Sequence, residues 1–282
     1  MNGHDGDLAM AVDLVTLPEP PRDKLIAAFI TLEGPFVRLI DRMQDGSAAV
    51  DRLTWTADDV VAHVISATEI YADILRGRGS PYDALSPDAI AARNDADIAA
   101  FTDRRPGAMA KRLQAAIADV LAELRRDERG QSVAYHAGVT LAPASVASLL
   151  LGEVAVHGHD VAVAQRRPWT VGGEIADLIM HGVAAVMPHY VDRARARDVH
   201  TTYQVHLRGQ TTYTLRFDGP DLRVGTGWRG PVDCHISADP WTYLLAGYGR
   251  IGPIMPALTG GVVAYGRRPW LALRLPRLIT AP

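Results

Sequence analysis

The spacing of apolar and polar residues divides the chain into two parts. Between residue 22 and about residue 195 the apolar positions recur with the period of an α-helix, and turn signals rich in Gly, Pro and Asp separate the segments. This pattern predicts helices near 22–44, 57–76, 87–103, 107–126, 143–165 and 172–195. After residue 198 the period changes to two, as in "TTYQVHL" and "TYTLRF", which predicts strands.

The change of period marks a domain boundary. We predict a flexible tail over residues 1–21, a four-helix bundle with additional helices over 22–198, and a smaller α+β domain over 199–282. With 282 residues the chain is long enough for two domains of ordinary size. The predicted fold class is therefore a multidomain protein in which an α domain precedes an α+β domain.

One predicted helix carries polar residues where its neighbours are apolar. The stretch "LLLGEVAVHGHDVAVA", residues 149–164, is apolar enough to be buried, yet it contains Glu153, His157 and Asp160. Offsets of four and seven residues bring these three side chains to one face of the helix, while His159 points elsewhere. Because a buried carboxylate without a partner is costly, this face requires a counter-charge or a ligand.

A second predicted helix, "TADDVVAHVISATEIYADILR", offers a partner for this face. Its N-cap is Thr56, and His63 lies at the inner edge of its apolar stripe. Two imidazoles and one carboxylate form a common donor set for a divalent metal, with zinc as the first choice and one coordination position left open. Asp160 would then fix the tautomer of the His157 ring. The spacing alone also allows a Glu153–His157 ion pair that binds no metal.

Composition narrows the classes of function. A hydrophobic fraction of 48%, a net charge of −3 and a pI near 6.4 describe a globular protein without the basic surface that nucleic-acid binding requires. The single cysteine, Cys234, excludes an intrachain disulfide, and strand alternation turns it away from its neighbour His235. The apolar run near residues 149–156 contains Glu153 and is too short to span a membrane. We therefore expect a cytoplasmic protein without a signal peptide or a membrane span.

Two distant segments resemble a known family. The segments "TWTADDVVAHV" (54–64) and "GEVAVHGHDVAVA" (152–164) are similar to motifs of the mycothiol-dependent maleylpyruvate isomerase family, whose first domain is a DinB-like metal-binding bundle. The segment over 236–279 is similar to the sterol-carrier-like domain that follows this bundle. The matching positions of the two motifs are Trp55, Thr56, Asp59, Val60, His63, Glu153, His157 and Asp160.

The resemblance implies an enzyme with a metal cofactor and a thiol cosubstrate. It implies that His63, Glu153 and His157 bind a zinc ion, with Asp160 as a supporting residue, and that mycothiol is the thiol cosubstrate. The metal would favour the thiolate, which would add to a small electrophilic substrate, so that the reaction ends as a cis-trans isomerisation or as an S-transfer. Arg250, in "GYGRIG", is our candidate for a catalytic residue that orients a substrate or mycothiol carboxylate.

Some features of the sequence leave the substrate and the role of the metal open. His159 stands where the family usually has a large aromatic residue, and Leu150–Leu151 occupy a region where many members have an arginine. The scarcity of lysine beside abundant arginine is typical of an actinobacterial source. The alternative function is a non-catalytic binding protein with a structural or vestigial metal, whose second domain carries an apolar ligand.

Overall fold

The computed structural model describes residues 16–126 and 131–280. Most of the predicted flexible tail, residues 1–15, lies outside the described residues. Six long helices form the first part of the chain, close to the predicted ranges: α1 (Arg22–Asp41), α2 (Ala57–Leu75), α3 (Pro87–Ala100), α4 (Pro106–Arg125), α5 (Pro143–Ala164) and α6 (Gly173–Val186).

The last of these helices is shorter than the sequence pattern predicts. The predicted helix over 172–195 ends at Val186, and a 3₁₀ turn (Met187–Tyr190) and the short α7 (Arg193–Ala196) follow it. Pro188 lies in the 3₁₀ turn, where its missing N–H and its ring do not allow an α-helix to continue. Asp192 then caps α7 by accepting hydrogen bonds from the amides of Ala194 and Arg195.

Four of the helices form a bundle. Helix α1 lies against α4 and α5, and α2 lies against the same two helices, so that each member has two neighbours. Helix α3 lies beside α2, and α6 covers the remaining face of α5. The crossing of α5 and α6 is close at Gly182, where a Cβ atom would lie 2.7 Å from the backbone nitrogen of Leu149.

Helix α5 is the central element of this domain. Seventeen of its 22 residues are buried, so it is apolar on nearly every side rather than on one stripe. Its length and composition would suit a membrane span, but 83% of its most apolar window is buried inside the protein, as in a core helix. Polar side chains on α5 therefore face protein groups and need partners there.

A short hairpin lies between α4 and α5. Strands β1 (Val133–Ala134) and β2 (Thr140–Leu141) pair antiparallel, and the turn between them carries a 3₁₀ helix over His136–Gly138. Ala137 has a φ of 52°, in the left-handed region that non-glycine residues rarely adopt. The Ala137 amide donates to the Tyr82 carbonyl at 2.7 Å, which ties the turn to the segment before α3.

The second domain is a mixed five-stranded sheet with helices on one side. Its strands are β3 (His200–Leu207), β4 (Thr212–Asp218), β5 (Asp221–Gly225), β6 (Cys234–Ala238) and β7 (Val262–Tyr265). The strand order is β5-β4-β3-β6-β7, in which β3 and β6 are parallel and the other neighbours are antiparallel. Helices α8 (Pro240–Gly247) and α9 (Ile254–Leu258) connect β6 to β7. Two 3₁₀ helices, Pro269–Leu273 and Leu275–Arg277, follow β7.

The two parts of the fold are joined through α6. Strand alternation buries Tyr203 and Tyr213 on the inner face of the sheet. The Tyr213 hydroxyl donates to the carboxylate of Asp177 on α6 at 3.0 Å, and the Thr211 hydroxyl donates to the same carboxylate at 2.7 Å. The structure thus confirms the predicted fold class, a helical domain followed by an α+β domain.

Candidate metal centre

Helices α2 and α5 lie side by side and bring three predicted side chains to one point. The Nε2 atom of His63 is 3.2 Å from Oε2 of Glu153, and the Nε2 atom of His157 is 3.3 Å from the same oxygen. One donor atom from each of the three residues lies within 4.8 Å of the other two. In residues 16–126 and 131–280 no other group of three His, Cys, Asp or Glu residues has this arrangement.

Local structure explains why α2 presents His63 here. Thr56 and Asp59 form a capping box, in which the Asp59 amide donates to the Thr56 hydroxyl and the Thr56 amide donates to the Asp59 carboxylate. Arg104 holds the other oxygen of Asp59 at 2.6 Å. The start of α2 is therefore fixed two turns before His63, which faces inward among buried aliphatic residues.

A hydrogen-bonded chain supports His157 from behind. The Nδ1 atom of His157 is 2.9 Å from Oδ2 of Asp160, one turn further along α5. Since Asp160 is only 3% exposed, its negative charge also needs compensation. The guanidinium group of Arg250 supplies it, with Nη2 at 2.8 Å and Nε at 3.1 Å from the carboxylate oxygens.

This chain fixes the orientation of the His157 ring. Nδ1 donates its proton to Asp160, so that Nε2 is the nitrogen directed at Glu153 and is the one that would bind a metal ion after loss of its own proton. Arg250 lies just after α8, so its bond to Asp160 also joins the second domain to the cluster of His63, Glu153 and His157 in the first. Its Nη1 atom donates to the Tyr248 carbonyl at 2.8 Å, which holds the guanidinium in place. The sequence predicts that Arg250 orients a substrate or mycothiol carboxylate, whereas in the structure its guanidinium group binds the carboxylate of Asp160.

The protonation of the cluster follows from burial and partners. Burial opposes the charge on Glu153, but hydrogen bonds and charge from His157 and His63 outweigh it, and the pKa of Glu153 lies well below its usual range. Burial lowers the pKa of His63. For His157, burial acts in the same direction, but the hydrogen bonds with Asp160 and Glu153 outweigh it and raise the pKa. Glu153 is therefore an ionised carboxylate between two imidazoles.

These three residues fit a divalent metal ion. Two imidazole nitrogens and one carboxylate oxygen are the protein donors of many catalytic zinc sites, which keep a fourth position open. Both Nε2 atoms lie within 3.3 Å of one carboxylate oxygen, so the three donor groups already converge. Glu153 is 27% exposed, whereas the side chains of His63 and His157 are 8% and 10% exposed, so the open side of the cluster lies at Glu153.

Aromatic side chains lie around the cluster: Trp55, which belongs to the family motif, and three tyrosines that the sequence motifs do not include. The Trp55 ring lies against His63, with centroids 5.0 Å apart, and 6.3 Å from the His157 ring. Burial raises the pKa of Tyr190 to about 12, and the charge of Glu153 acts in the same direction. The same two causes raise the pKa of Tyr82 and Tyr248. The spacing of the three tyrosines in the sequence does not mark them, because they come from separate segments of the chain.

A further histidine lies near Glu153. His136, in the turn of the β1–β2 hairpin, stacks on Tyr135 at 3.8 Å and lies 4.1 Å from the Tyr82 ring, and its Nδ1 atom is 2.7 Å from the Ser80 hydroxyl. Burial lowers the pKa of His136 to about 4, against the opposing effect of Glu153. His136 is therefore a neutral imidazole at physiological pH, held by aromatic packing.

Two cavities differ in their relation to the cluster. A small one, about 40 Å³, is lined by His159, Asp160 and Arg250, next to the supporting chain of His157. His159 also contacts the Trp241 ring edge-on at 6.1 Å, which places this point of divergence from the family pattern at the boundary of the two domains. A larger cavity of about 380 Å³ lies on the sheet, over β3, β4 and β5, and shares no lining residue with the cluster.

A second pair of histidines lies on the outer face of the sheet. The Nε2 atom of His206 is 3.0 Å from Nδ1 of His235, the rings stack at 20°, and the Tyr265 ring stacks on His235 at 5.0 Å. The Nδ1 atom of His206 is 3.1 Å from the Thr212 hydroxyl. Cys234 is buried on the opposite face, so it forms no dyad with His235, as the strand alternation predicts.

Comparisons with known proteins agree with this architecture. Residues 36–162 match the family model of the mycothiol maleylpyruvate isomerase N-terminal domain, and residues 186–266 match the SCP-2 sterol transfer family. The three residues of the cluster lie in the first match and Arg250 lies in the second. A comparison with curated protein sequences finds no significant match.

Solved structures show the same fold over most of the chain. A crystal structure of the mycothiol-dependent maleylpyruvate isomerase has a TM-score of 0.54 at 14% identity, covering 87% of this chain and 93% of that one. A histidine-to-alanine mutant of that enzyme gives the same TM-score and coverage at 13% identity. The chain thus combines a domain of the mycothiol maleylpyruvate isomerase N-terminal family with a following domain of the SCP-2 sterol transfer family.

Proposed function

We propose that this protein is a metal-dependent enzyme that uses mycothiol as a thiol cosubstrate and acts on a small electrophile, either as a cis-trans isomerase or as an S-transferase. The observation that carries the proposal is the cluster of His63, Glu153 and His157, whose three donor atoms lie within 4.8 Å of one another. The family suggests the thiol and the reaction class, and the donor set suggests zinc.

The residues of the chain have distinct roles in this proposal. His63, Glu153 and His157 would hold the metal, which when bound lowers the pKa of a thiol so that a thiolate is available at neutral pH. Asp160 accepts a hydrogen bond from Nδ1 of His157, so that Nε2 is the nitrogen that would bind the metal. Arg250 acts as a positioning residue through Asp160, rather than by contact with substrate. The half-buried ring of Trp55 and the neighbouring tyrosines would limit the access of water to the reacting thiol.

The location and source of the protein also belong to the proposal. A family named for a mycothiol-dependent reaction favours a cytoplasmic location, where the thiol would be available. The dependence on mycothiol and the arginine-rich composition together favour an actinobacterial source. We propose domain limits of 22–198 and 199–282 for the two units, after a tail over 1–21. The second domain would close the site through Arg250.

A metal analysis tests the first step of the proposal. Protein purified without a histidine tag should contain about one divalent metal ion per chain, and His63→Ala and His157→Ala should lose it. His206→Ala is a matched control, because it removes a histidine that contacts another histidine but no carboxylate. A folded wild-type protein that takes up no zinc would contradict the proposal.

A turnover screen tests the thiol. Maleylpyruvate and a panel of small electrophiles would be offered with mycothiol, with glutathione or without thiol, and product formation would be followed for wild type and His63→Ala. We expect turnover with mycothiol that the variant loses. If the metal is present but no thiol supports turnover, the enzyme proposal fails. The match to the SCP-2 sterol transfer family then favours the second candidate, a binding protein for an apolar ligand.

A further inference from the structure

Exposed apolar side chains are concentrated near the end of the chain. Among the described residues nine large hydrophobic side chains are exposed, and seven of them lie between residues 254 and 273. We call residues 254–277 the C-terminal strip. The exposed fractions of Ile254, Leu258 and Leu273 are 70%, 77% and 74%. The other four are Met255, Val263, Tyr265 and Trp270. A cluster of this kind on a soluble domain marks an interaction site.

The strip is anchored to the domain by other residues. In α9 only Pro256 is buried, so its larger apolar side chains face outward. In the 3₁₀ helices after β7, Leu271 and Leu275 are buried and hold the segment to the domain, whereas Trp270 and Leu273 point away. Helix α9 and the first 3₁₀ helix both contact edge strand β7, so the strip is a continuous surface along one edge of the sheet. The exposed side chains are therefore dispensable for the hydrophobic core.

The strip is also basic. From residue 240 to the end the sequence contains five arginines and no Asp or Glu, although the whole chain has a net charge of −3. Arg250 turns inward to Asp160, and the other four arginines are exposed: Arg267, Arg268, Arg274 and Arg277. The nearest acidic partner in the structure is Asp233, 3.7 Å from Arg268. Positive charge is thus interspersed with exposed Trp and Leu side chains over residues 267–277.

This combination of groups identifies the kind of partner. Guanidinium groups bind phosphate, and exposed Trp, Leu, Ile and Met side chains gain free energy by entering the boundary between headgroups and acyl chains. A nucleic acid would satisfy the arginines but not Ile254, Met255 and Leu258. A symmetric contact with a second copy would bury the apolar groups, but it would bring the arginines of one strip against those of the other.

We propose that the C-terminal strip (254–277) binds the surface of an anionic lipid membrane. Arg267, Arg268, Arg274 and Arg277 contact lipid phosphates, while the apolar side chains of α9 and of the first 3₁₀ helix enter the headgroup region. The proposal does not depend on the metal cluster, which belongs to the other domain. It concerns a peripheral contact and involves no membrane-spanning segment.

Vesicle flotation tests the proposal on the full chain. Vesicles of equal parts phosphatidylcholine and phosphatidylglycerol should carry wild-type protein upward in a density gradient, whereas pure phosphatidylcholine should not. The double variant Arg274→Glu/Arg277→Glu should lower the partition coefficient by roughly thirtyfold or more, because each basic residue near an anionic membrane surface strengthens binding and each glutamate weakens it. Arg42→Glu/Arg125→Glu is the matched control, because it makes the same change of charge at exposed positions of the bundle domain.

A second pair of variants tests the apolar contribution separately. Leu258→Ala/Leu273→Ala should weaken flotation at least about tenfold, because each side chain loses buried apolar area in the membrane. Ile30→Ala, at an exposed position of α1, should leave it unchanged. Circular dichroism would confirm that each variant is folded.

The contrary results are equally definite. Absence of flotation with anionic vesicles, or flotation that the arginine reversals do not weaken, would overturn the proposal. So would sedimentation analysis in which wild type is a dimer and Leu258→Ala/Leu273→Ala is a monomer, since the strip would then be an interface between copies of this chain.

Discussion

Two histidine clusters, one in each domain, use similar side chains in different surroundings. In the bundle, His63 and His157 approach the same oxygen of Glu153, and a carboxylate supports His157 from behind. On the sheet, His206 and His235 approach each other, and the second nitrogen of His206 meets the Thr212 hydroxyl. In the first cluster two imidazoles share one ionised carboxylate oxygen, whereas in the second the imidazoles form hydrogen bonds with each other and with a hydroxyl group.

The comparison teaches that proximity of histidines does not by itself make a metal site. A divalent ion requires deprotonated donors that converge and a charge that compensates its own. The bundle cluster meets both conditions through Glu153 and through the orientation that Asp160 imposes. The sheet pair lacks a carboxylate, and its geometry is that of stacked aromatic rings with Tyr265. Five predictions break or sharpen this comparison.

The largest effect should come from removal of the charge that compensates Asp160. Arg250→Ala leaves the 3% exposed carboxylate of Asp160 without its cation and should lower the free energy of unfolding by about 3 kcal/mol. Arg78→Ala removes an exposed partner of Asp73 and should cost less than about 1 kcal/mol. Urea titrations of both variants measure the difference, and equal losses would show that Arg250 is not a partner of a buried charge.

The next effect concerns metal affinity. Asp160→Asn removes the charged acceptor behind His157 and should weaken zinc binding by about 10–100-fold, measured by competition with a chelator. Asp218→Asn is the matched control, because Asp218 holds the Nδ1 atom of His200 at 2.8 Å outside any metal cluster. A control that weakens zinc binding as much as Asp160→Asn would contradict the supporting role of Asp160.

In the metal-free protein the pKa of His157 in the bundle and the pKa of His206 on the sheet should be shifted in opposite directions. The pKa of His157 is raised above its ordinary value of about 6.5 by Asp160 and Glu153, which outweigh burial, whereas burial and His235 lower the pKa of His206. NMR titration of the two ring protons, assigned with His157→Gln and His206→Gln, should give one midpoint above 6.5 and the other below it. Midpoints on the same side would remove this difference between the clusters.

The sign of the stability change follows from these shifts. His157 contributes stability that is complete below the unfolded pKa of about 6.5 and is lost as the pH rises through its folded pKa. His206 contributes stability that is present above about pH 6.5 and is lost as the pH falls through its folded pKa. Unfolding free energies of the two Gln variants, measured against wild type across this range, should therefore diverge in opposite directions.

The smallest effect should come from the sheet pair. A double-mutant cycle of His206→Gln and His235→Gln should give a coupling of about 1 kcal/mol, as expected for one neutral hydrogen bond with stacked rings. Metal content should stay at the wild-type value in both single variants. Loss of zinc from either variant would mean that the sheet pair holds metal and would remove the distinction between the clusters.

The sequence contained more information about the bundle than about the second domain. The i, i+4 spacing of Glu153 and His157 follows from helix geometry, so their common face could be predicted. His63 comes from another helix: its place on the apolar stripe made it a candidate partner, and the family motif strengthened the connection. The family and the fold class are confirmed by the two domain matches and by the folds of solved structures.

Other parts of the structure could not be predicted because they depend on distant pairings. The parallel pairing of β3 with β6 places Tyr203 beside Cys234 across an intervening hairpin, and no local pattern encodes such a register. The bond between Arg250 and Asp160 has the same origin, since each residue has an ordinary local environment in its own segment. The rings around Glu153 come from several loops, and only tertiary packing brings them together.

The bond between Arg250 and Asp160 has a consequence for modularity. Each domain resembles a separate family, which suggests that either could be exchanged for a relative. However, Arg250 of the second domain compensates the negative charge of Asp160 in the first domain, and Asp160 is only 3% exposed. A chimera with a new second domain would contain an uncompensated carboxylate next to the proposed metal ligand His157, unless the donor domain carried an arginine at the same place. The two domains therefore cannot be exchanged independently without a cost in the stability of the first.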